Sequence, residues 1–565
     1  MSENSLRIKI SALQASLRFE VEKNATLEKE LHNALEETKG IKPQTVPEKS
    51  LHQEIIDCTD FLSRLKNSQT DWNSYEYHGL IQVMKAIISD SFDFKACGRL
   101  SIARHEENKA RHQKSLDRNS GIKKERSQSI RRLGSIILDA IQDESDDESA
   151  SDDDINLNTA YQQITSSHNL DSVLPVTRDC YVCKMEYDQK HDFYDRLCPP
   201  CAALNFSKRT VTADLSGRVS IVTGGRIRIG YQTALRLLRC NSTVIVTTRF
   251  PHNAVKRFKM EPDYESFSDR LVLYGLDLRD LQSIDDFVEF VRQKYTTVDI
   301  LINNAAQTIR KPPIFYEPLV KFELSNAGTN PALVYEKKYD THTMSIQDRS
   351  GVQVIANGLE VVPACMLSVI PRIDSDTDPS LREYFPPNKV DDVGDPLDDR
   401  SSNTWGQPMS QLTSVEMAEV SIINTVAPSV LITKLVPLME RSEFKDKYII
   451  NVSSNEGSFA SNYKSLRGKH HHTNMAKSAL NMLGETLKHV LAESNIFIST
   501  VDPGWVSLQC TYQSISAVRE RGFEPPLDEV DAASRILDPV FDGVNLGKYS
   551  KGGYFKDYQN IKWYK

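Results

Sequence analysis

The feature that most constrains the fold is an alternation of short apolar segments with longer amphipathic ones, from about residue 215 onward. The segments GRVSIVTGG, STVIVTTR, LVLYGLDL, VDILINNAA, KYIINVSS and IFISTVDPG predict strands, and helical periodicity separates most of them. Neighbouring parallel strands must be joined by a crossover, which is usually a helix. We therefore predict an α/β domain over residues 215–565, built on a doubly wound parallel sheet.

A different texture precedes this domain. Residues 1–40 predict a coiled coil, because apolar side chains recur mostly at intervals of four and three: Leu6, Ile10, Leu13, Leu17, Leu27 and Leu31. The same spacing suits an amphipathic helix that packs on its own chain, so both interpretations stay open. Residues 51–103 predict a helical region. Residues 104–170 contain basic and acidic runs that bury little apolar surface, and they predict a disordered charged linker.

Composition limits the classes of function. The chain has 565 residues and a net charge of -8, which disfavours nucleic acid as a general partner. Its apolar runs are shorter than the roughly 20 residues that span a bilayer, and its first residues lack the pattern of a secretory signal. Nine cysteines in a chain of this length suit a reducing compartment. We expect a cytoplasmic or nuclear protein without a membrane span.

Four of the cysteines form two close pairs. Cys180 and Cys183 make one CxxC pair, and Cys198 and Cys201 make a second pair after fourteen intervening residues. Two such pairs present four thiolates that can converge on a tetrahedral Zn²⁺ ion. Four sulfur ligands leave no open position, so we predict a structural zinc module over residues 175–210 that needs its metal to fold. Four reduced thiols are the alternative.

A glycine-rich turn, TGGRIRIG, follows the first strand of the α/β domain. Gly224 permits a tight turn, and Gly230 lets the next helix approach the strand. The N-terminus of that helix offers N–H groups to a pyrophosphate. Arg228 stands at this positive end of the helix, where an anionic ligand would remove the unfavourable interaction of an unpaired cation. A side chain that points into solvent is the alternative.

These motifs, in their order and spacing, resemble the short-chain dehydrogenase/reductase family over about 300 residues. The turn matches the family's TGxxxGxG motif, with Arg228 replacing the middle glycine as in pteridine reductases. The resemblance implies a Rossmann-type sheet that binds a dinucleotide. Arg249 ends the second strand, where NAD-specific sites usually carry an acidic residue, and an arginine suits the 2′-phosphate of NADP(H). The predicted cofactor-binding residues are Thr223, Gly224, Arg226, Arg228, Ile229, Gly230, Arg249, Asp277, Leu278, Asn304, Ala305, Lys477, Pro503 and Gly504.

The resemblance also implies a catalytic tetrad of Asn, Ser, Tyr and Lys. Asn424 in INTVAP, Ser454 in NVSS and Lys477 in MAKSALNM match three of its members. In the family, Lys binds the ribose and lowers the pKa of Tyr, Ser polarises the substrate oxygen, and Asn holds a water in the proton relay. The predicted reaction is hydride transfer from NADPH to a carbonyl or related group.

The tyrosine of this tetrad is missing. Thr473 stands four residues before Lys477, and His470 stands seven before it, where enoyl-reductase relatives place their tyrosine. An aliphatic hydroxyl cannot replace a phenol with a pKa of about 10 as a proton donor. Three hypotheses follow: a substitute donor among His470, His471, His472 and Tyr463; a substrate that needs no strong acid; or a non-catalytic NADP(H)-binding scaffold or regulatory subunit.

Residues 308–415 form an insertion where the family has a short connection. An insertion at the carboxyl edge of a parallel sheet lies beside the active site, so we expect it to cap a small-molecule substrate or hold a protein partner. Self-association is expected through the coiled coil, the reductase-like domain or both.

Overall fold

The computed structural model describes residues 120–128, 173–335, 363–459 and 468–564. All of these residues belong to one compact unit within residues 109–565. The predicted coiled coil of residues 1–40 and the helical region of residues 51–103 lie outside the described residues, so both stay predictions.

A nine-stranded sheet forms the centre of the α/β domain, in the order β11-β10-β9-β8-β6-β3-β4-β5-β7. All neighbouring strands are parallel except β10 and β11, which form an antiparallel hairpin. The strands are β3 (Val219–Thr223), β4 (Thr243–Thr248), β5 (Leu271–Gly275), β6 (Ile300–Asn303), β7 (Val334–Tyr335), β8 (Lys447–Val452), β9 (Ile496–Asp502), β10 (Tyr554–Lys556) and β11 (Gln559–Ile561). The predicted doubly wound parallel sheet is confirmed.

Helices cover both faces of this sheet because its central strands are apolar on both sides. One face packs on α2 (Arg228–Arg239), α3 (Pro251–Lys259) and α10 (Glu529–Leu546), and the other on α4 (Leu281–Lys294), α7 (Ala427–Glu440) and α8 (His471–Glu493). Successive strand residues serve opposite faces: Ile221 contributes to the second core and Val222 to the first. Further helices are α5 (Pro313–Ser325), α6 (Ser414–Ser421) and α9 (Tyr512–Glu520).

The helix α6 continues through a π-helical turn, Ile422–Val426, into α7. This continuous helix, Ser414–Glu440, is long and apolar enough to cross a membrane by composition alone. Its residues Leu431, Leu435 and Leu438 are almost fully buried against the sheet. Among the described residues, its apolar character is therefore explained by packing in the protein core.

The order of strands places a cleft at a defined point. β3 lies between β4 and β6, and the chain turns in opposite directions along the sheet on either side of it. Ligands of open α/β sheets bind at such a switch point, beyond the carboxyl ends of the strands. The turn after β3 and the turn after β6 meet here.

The cysteine-rich segment forms a small module with β1 (Val173–Asp179), β2 (Glu186–Gln189) and α1 (Pro199–Thr210). Its buried aromatic residues Phe193 and Tyr194 share one apolar core with Leu527 and Ala532 of the α/β domain. The Tyr194 hydroxyl donates to Asp531 Oδ1 at 2.5 Å. The module is therefore packed on the α/β domain through α10 and the loop that precedes it.

Part of the predicted charged linker is ordered. Residues 121–128 form a helix on the cysteine module, with Ile122 fully buried in the shared core. Lys123 Nζ lies 3.1 Å from Asp195, and Arg126 Nη1 lies 2.6 Å from Glu524. The buried isoleucine and the two paired cations explain the departure from a solvated linker, because Lys123 and Arg126 each meet a carboxylate on the opposing surface.

The insertion covers the carboxyl edge of the sheet. Phe315 and Tyr316 of α5 pack with Phe250 and Cys365 in a separate apolar cluster. Short 3₁₀ turns follow at Ala364–Ser368, Asp374–Thr377, Pro379–Tyr384 and Met409–Gln411. The described parts of the insertion therefore pack on Phe250 and border the cleft at the switch point.

Candidate functional site

The turn after β3 needs glycine at two positions. Gly224 has φ +67°, and a Cβ there would lie 2.9 Å from the Cα of Ala305. A Cβ on Gly230 would lie 2.3 Å from Gly224 O and 2.4 Å from Asn304 Nδ2. Both contacts are too short for any other residue, so the close approach of α2 to the strand end depends on these glycines.

Thr223 and Asn304 build the floor of the cleft. The Thr223 hydroxyl accepts the N–H groups of Asn304 and Ala305, each at 3.0 Å. Asn304 Nδ2 donates to the carbonyl oxygens of Thr223 at 3.0 Å and Gly224 at 3.2 Å. These side chains therefore join the turns after β3 and β6, and their polar groups face the protein.

A cavity of about 530 Å³ lies above this floor. Its lining includes ten of the predicted cofactor-binding residues: Gly224, Arg226, Arg228, Ile229, Gly230, Arg249, Asp277, Leu278, Asn304 and Ala305. Thr223, Lys477, Pro503 and Gly504 do not line it. A volume of this size is within the range of roughly 300–1,000 Å³ that small-molecule and cofactor sites occupy.

Arg249 stands at the cavity wall directly after β4. Its guanidinium donates to the hydroxyls of Ser368 at 3.2 Å and Tyr316 at 3.3 Å, and it lies 4.6 Å from the centre of the Tyr316 ring. Within the described parts of the chain, no carboxylate forms a salt bridge with it. Arg249 is therefore held in place by neutral groups and keeps its charge available to an anion.

Arg226 and Arg228 meet acidic residues of the insertion. Arg226 donates to both carboxylate oxygens of Asp395, at 2.7 and 2.8 Å, and also to Asn253 Oδ1 at 3.0 Å. Arg228 has φ +54°, and its Nη2 lies 3.6 Å from Asp391 Oδ2. The sequence predicted a phosphate beside Arg228 or a side chain that points into solvent, and the structure shows a 40% exposed side chain with a carboxylate beside it.

Asp277 is almost fully buried behind the cavity. Its carboxylate accepts the Arg279 guanidinium, with 2.6 Å between Oδ2 and Nη2, and the Arg279 N–H at 2.9 Å. Burial opposes ionisation of Asp277, but the Arg279 charge outweighs it and lowers the pKa of this carboxyl. The adenine contact that the family resemblance implies would have to share this carboxylate with Arg279.

Asn424 lies in the π-helical turn between α6 and α7. Its Oδ1 accepts the Gln307 N–H at 2.8 Å, and its Nδ2 donates to Gln307 O at 2.9 Å. Single π turns are frequent at functional sites, because the wider turn changes the direction of a side chain. This paired contact fixes the segment after β6, and Gln307 is a cavity residue that the sequence analysis did not identify.

Lys477 is buried in α8, and its Nζ donates to Val452 O at 2.7 Å. Burial lowers its pKa to about 8, against the opposing charges of Glu456 and Asp502. The lysine is thus anchored at the carboxyl end of β8. Ser453 and Ser454 follow this strand end directly in the sequence. An ammonium group has three donors, so two remain for other acceptors.

Ser454 follows β8 and is half-buried. Its backbone carbonyl accepts the Tyr554 hydroxyl at 3.0 Å and the Gly457 N–H at 3.0 Å. Its own hydroxyl forms no hydrogen bond with the residues that the structure describes. The serine is therefore held by its backbone and has its side chain available.

The position of the missing tyrosine is occupied by a buried threonine. Thr473 is 1% exposed, and its hydroxyl has no hydrogen-bond partner among the described residues. Its side chain cannot reach as far as a phenol, so it leaves the proton-donor role unfilled. Tyr463, one of the predicted substitutes, lies outside the described residues.

The three histidines before Thr473 differ in their surroundings. His470 has φ +42°, and its Nδ1 lies 2.9 Å from Trp405 O, with its ring stacked on the Trp405 ring at 4.2 Å. His472 is 3% exposed, and burial, aided by the two neighbouring histidines, lowers its pKa to about 4. His472 is therefore neutral near pH 7, whereas His470 has a defined orientation near the surface.

The predicted catalytic residues are Asn424, Ser454, Thr473, Lys477 and His470. None of them lines the 530 Å³ cavity. Other lining residues come from segments that carried no recognisable motif. Asp391, Asp395 and Asp398 belong to the insertion, and Ser507 and Gln509 follow β9. The acidic run of the insertion was visible in the sequence, but Arg226 and Arg228, which meet Asp395 and Asp391, lie more than 150 residues before it.

The four cysteines converge as their spacing predicted. Their Sγ atoms all lie within 4.8 Å of one another, and Cys183 Sγ is 3.7 Å from Cys198 Sγ. Zn–S bonds of about 2.3 Å in a tetrahedron place sulfur atoms roughly 3.8 Å apart, so the cluster fits zinc. The Cys198 N–H points to Cys180 Sγ at 3.3 Å, a contact that stabilises a thiolate.

The thiols of this cluster differ in acidity. Burial raises the pKa of Cys198 and of Cys201, whereas a backbone hydrogen bond at Met185 lowers the pKa of the exposed Cys183. A divalent cation deprotonates coordinating thiols and reverses such an effect of burial. The donor set thus fits a structural metal with four sulfur ligands.

Comparison with known proteins shows which proteins are similar to this chain. Residues 218–318 match the short chain dehydrogenase family. The chain is 33% identical over 397 residues to an uncharacterized protein of Acanthamoeba polyphaga mimivirus, covering 68% of this chain and 74% of the viral protein. It is 29% identical over 155 residues to dehydrogenase/reductase SDR family member 12 of Bos taurus, covering 26% of this chain and 47% of that relative.

Shorter and more distant similarities accompany these. The chain is 34% identical over 91 residues to (+)-neomenthol dehydrogenase of Capsicum annuum, covering 16% of this chain and 29% of the plant enzyme. Among solved structures, an NADPH-bound carbonyl reductase from chicken fatty liver is 19% identical, with a TM-score of 0.36, and it covers 62% of this chain and 100% of its own. The chain thus spans less than half of the mammalian and plant relatives.

Proposed function

Since this chain belongs to the short-chain dehydrogenase/reductase family, we propose that it binds NADP(H) and transfers a hydride to a carbonyl or related group. The observation that carries the cofactor proposal is Arg249, which lies in the cavity wall after β4 without a carboxylate partner among the described residues. An arginine at this strand end pairs with a 2′-phosphate and leaves the diol of NAD without its acidic acceptor.

NADPH would supply the hydride, and the chain's own residues would hold the reactants. Lys477 donates to Val452 O and would hold the ribose with its remaining donors. Ser454 offers an unpaired hydroxyl to the substrate oxygen. Asn424, whose amide is engaged by Gln307, holds the turn after β6 in place. This arrangement assigns three of the four roles that a carbonyl reductase needs.

We assign the proton to His470. Its Nδ1 contact with Trp405 O orients the ring, which leaves Nε2 for a substrate. His472 is a poor donor because its pKa of about 4 leaves it neutral, and the Thr473 hydroxyl is not acidic enough. His470 stands directly before α8, seven residues before Lys477.

One observation favours the second candidate, a non-catalytic NADP(H)-binding scaffold. The tyrosine position is filled by a buried threonine, and no tetrad position borders the cavity that the arginines line. A regulatory subunit of this kind would keep Arg249 and Lys477 for the nucleotide and would have no use for the Ser454 hydroxyl.

Two measurements separate these candidates. Titration with the full chain should enhance the fluorescence of NADPH until binding saturates. Absence of binding would exclude both candidate functions. With a panel of aldehydes, ketones and conjugated enones, NADPH oxidation should then depend on substrate and be lost in Ser454→Ala and Lys477→Ala. His470→Asn should reduce the rate about 10²–10⁴-fold while NADPH still binds, as expected for a general acid. Binding without turnover on any substrate would support the scaffold.

We propose that the four cysteines bind one structural Zn²⁺. The convergence of four Sγ atoms within 4.8 Å supports this, and it leaves no coordination position for a substrate. Elemental analysis of the purified chain should give one zinc per chain, and Cys198→Ser should lose it. Iron or no metal in the native protein would contradict the proposal.

We further propose that the protein acts in the cytoplasm or nucleus and self-associates. Light scattering on the full chain and on a variant without residues 1–40 tests the second point. A monomeric full chain would contradict it, and a loss of oligomers on deletion would assign them to the coiled coil.

A further inference from the structure

Tyr181 lies between the two cysteines of the first CxxC pair and reaches out of the module. Its hydroxyl accepts the backbone N–H of Trp505 at 2.9 Å. A Cβ on the adjacent Gly504 would lie 3.6 Å from the same hydroxyl oxygen. The cysteine module therefore touches the loop after β9 through one defined hydrogen bond.

This loop borders the half of the cavity that lies away from Arg249. Ser507 and Gln509 line the cavity from the loop, whereas Arg249 lines it from the end of β4. β4 and β9 lie on opposite sides of β3 in the sheet. A dinucleotide binds across the switch point, one nucleotide on each half of the sheet. With the 2′-phosphate at Arg249, the nicotinamide half falls on the side of the β9 loop.

The shape of the loop after β9 depends on contacts with its neighbours. Gly504 has φ +88°, and a Cβ there would lie 2.5 Å from the Leu527 side chain. The next residues are anchored in the module, since Val506 packs in its apolar core together with Leu527. The module also satisfies the Trp505 N–H, because the Tyr181 hydroxyl accepts it.

The metal cluster in turn fixes Tyr181. The Tyr181 N–H donates to Arg196 O at 2.9 Å, and the Lys184 N–H donates to Cys180 O at 3.0 Å, which closes the knuckle around the tyrosine. A tetrahedral metal would hold Cys180 and Cys183, one on each side of it. The direction of the Tyr181 side chain is thus tied to the geometry of the cluster.

We propose that Tyr181 is a positioning residue for cofactor binding: through its hydroxyl, the metal-bound module holds the β9 loop in the shape that accepts the nicotinamide half of NADP(H). The proposal rests on NADP(H) binding as proposed above. It assigns the module a role in the active site, beyond stabilising the fold, without placing any of its residues in contact with substrate.

The test compares two probes on the zinc-loaded full chain. NADPH requires both halves of the site, whereas 2′-phospho-ADP-ribose lacks the nicotinamide and reports the Arg249 half alone. Tyr181→Phe keeps the ring and removes the hydroxyl. One lost hydrogen bond of about 1 to 1.5 kcal/mol weakens binding about 5- to 13-fold. We expect this increase in the Kd of NADPH and an unchanged Kd of 2′-phospho-ADP-ribose.

Tyr187→Phe is the matched control, because the Tyr187 hydroxyl donates to Asp195 O at 3.1 Å within the module and does not contact the β9 loop. It should leave both dissociation constants unchanged. Equal weakening in the two variants would overturn the proposal, and so would an unchanged NADPH affinity in Tyr181→Phe. If neither probe binds the wild-type chain, NADP(H) binding itself fails. Chelation of the metal should weaken NADPH binding in the wild type more than in Tyr181→Phe, and equal losses would also contradict the link to the cluster.

Discussion

The Asp395 carboxylate accepts hydrogen bonds from both terminal nitrogens of Arg226, with 2.7 Å between Oδ1 and Nη1 and 2.8 Å between Oδ2 and Nη2. Arg257 lies 3.6 Å from the same Oδ1, and both residues of the Arg226–Asp395 pair are nearly buried. The pair connects the insertion to the glycine-rich turn. An acidic side chain from the insertion therefore neutralises a cation that the sequence assigned to the nucleotide.

Asp395→Asn should destabilise the fold strongly, because it leaves the buried Arg226 charge without its carboxylate. Removal of one partner from a buried ion pair costs about 3–5 kcal/mol in the free energy of unfolding, which urea titration measures. Asp391→Asn is the control: its pair with Arg228 is 3.6 Å long and partly exposed, so the loss should stay under about 1 kcal/mol. Similar effects of both substitutions would contradict this assignment.

The loss of unfolding free energy in Asp395→Asn should also depend on pH. Burial opposes ionisation of Asp395, but Arg226 outweighs it and lowers the pKa of this carboxyl below its value of 3.8. A lowered pKa contributes stability that is complete above the unfolded pKa and is lost as the pH falls through the folded one. The difference in unfolding free energy between the wild type and Asp395→Asn should therefore be constant near neutrality and shrink below about pH 4.

Arg249→Gln should convert an NADPH-selective site into an unselective one. A hydrogen bond to a charged group contributes about 1.5–3 kcal/mol, so the Kd of NADPH should rise about 13- to 160-fold. The Kd of NADH should change little, because NADH has no 2′-phosphate. Titration of both nucleotides by fluorescence gives the ratio, and parallel weakening of the two would place Arg249 away from the phosphate.

Thr473→Val should stabilise the protein, since the buried Thr473 hydroxyl has no hydrogen-bond partner among the described residues. Burying an unpaired hydroxyl costs about 1–3 kcal/mol, and valine has nearly the same shape, so we expect a gain of about 1 kcal/mol. Thr233→Val is the contrast, because that buried hydroxyl donates to Ile229 O at 2.8 Å and its loss should not stabilise. Loss of NADPH oxidation in Thr473→Val would instead give this hydroxyl a catalytic role.

Lys477 should make stability rise with pH above neutrality. Burial lowers its pKa from 10.5 to about 8, so between these values the unfolded chain binds more protons than the folded one. Stability then increases with pH across this window, by on the order of 3 kcal/mol in full. Urea unfolding at pH 8 and pH 10 should show this slope in the wild type and a smaller one in Lys477→Met. Equal slopes would mean that the lysine titrates normally.

The sheet could be predicted from the sequence because its signals are local. Apolar runs of five to seven residues, such as the one ending at Thr223, predict strands by themselves, and CxxC pairs predict a cluster. The paired contacts of Asp395 and Tyr181 could not be predicted, because they join segments that are far apart along the chain. The π turn at Asn424 was also not foreseen, since its residues continue a helical pattern and only the contact with Gln307 distinguishes it.

The contact between Tyr194 and Asp531 has a consequence for the biosynthesis of the chain. The two residues are 337 positions apart, so the helix that carries Asp531 leaves the ribosome long after the cysteine module. At roughly 5–20 residues per second, the cysteine module waits about 20 to 70 s for the surface that covers its aromatic face. A nascent chain therefore exposes Phe193 and Tyr194 for longer than most domains take to fold. We expect chaperones to bind these residues during that time.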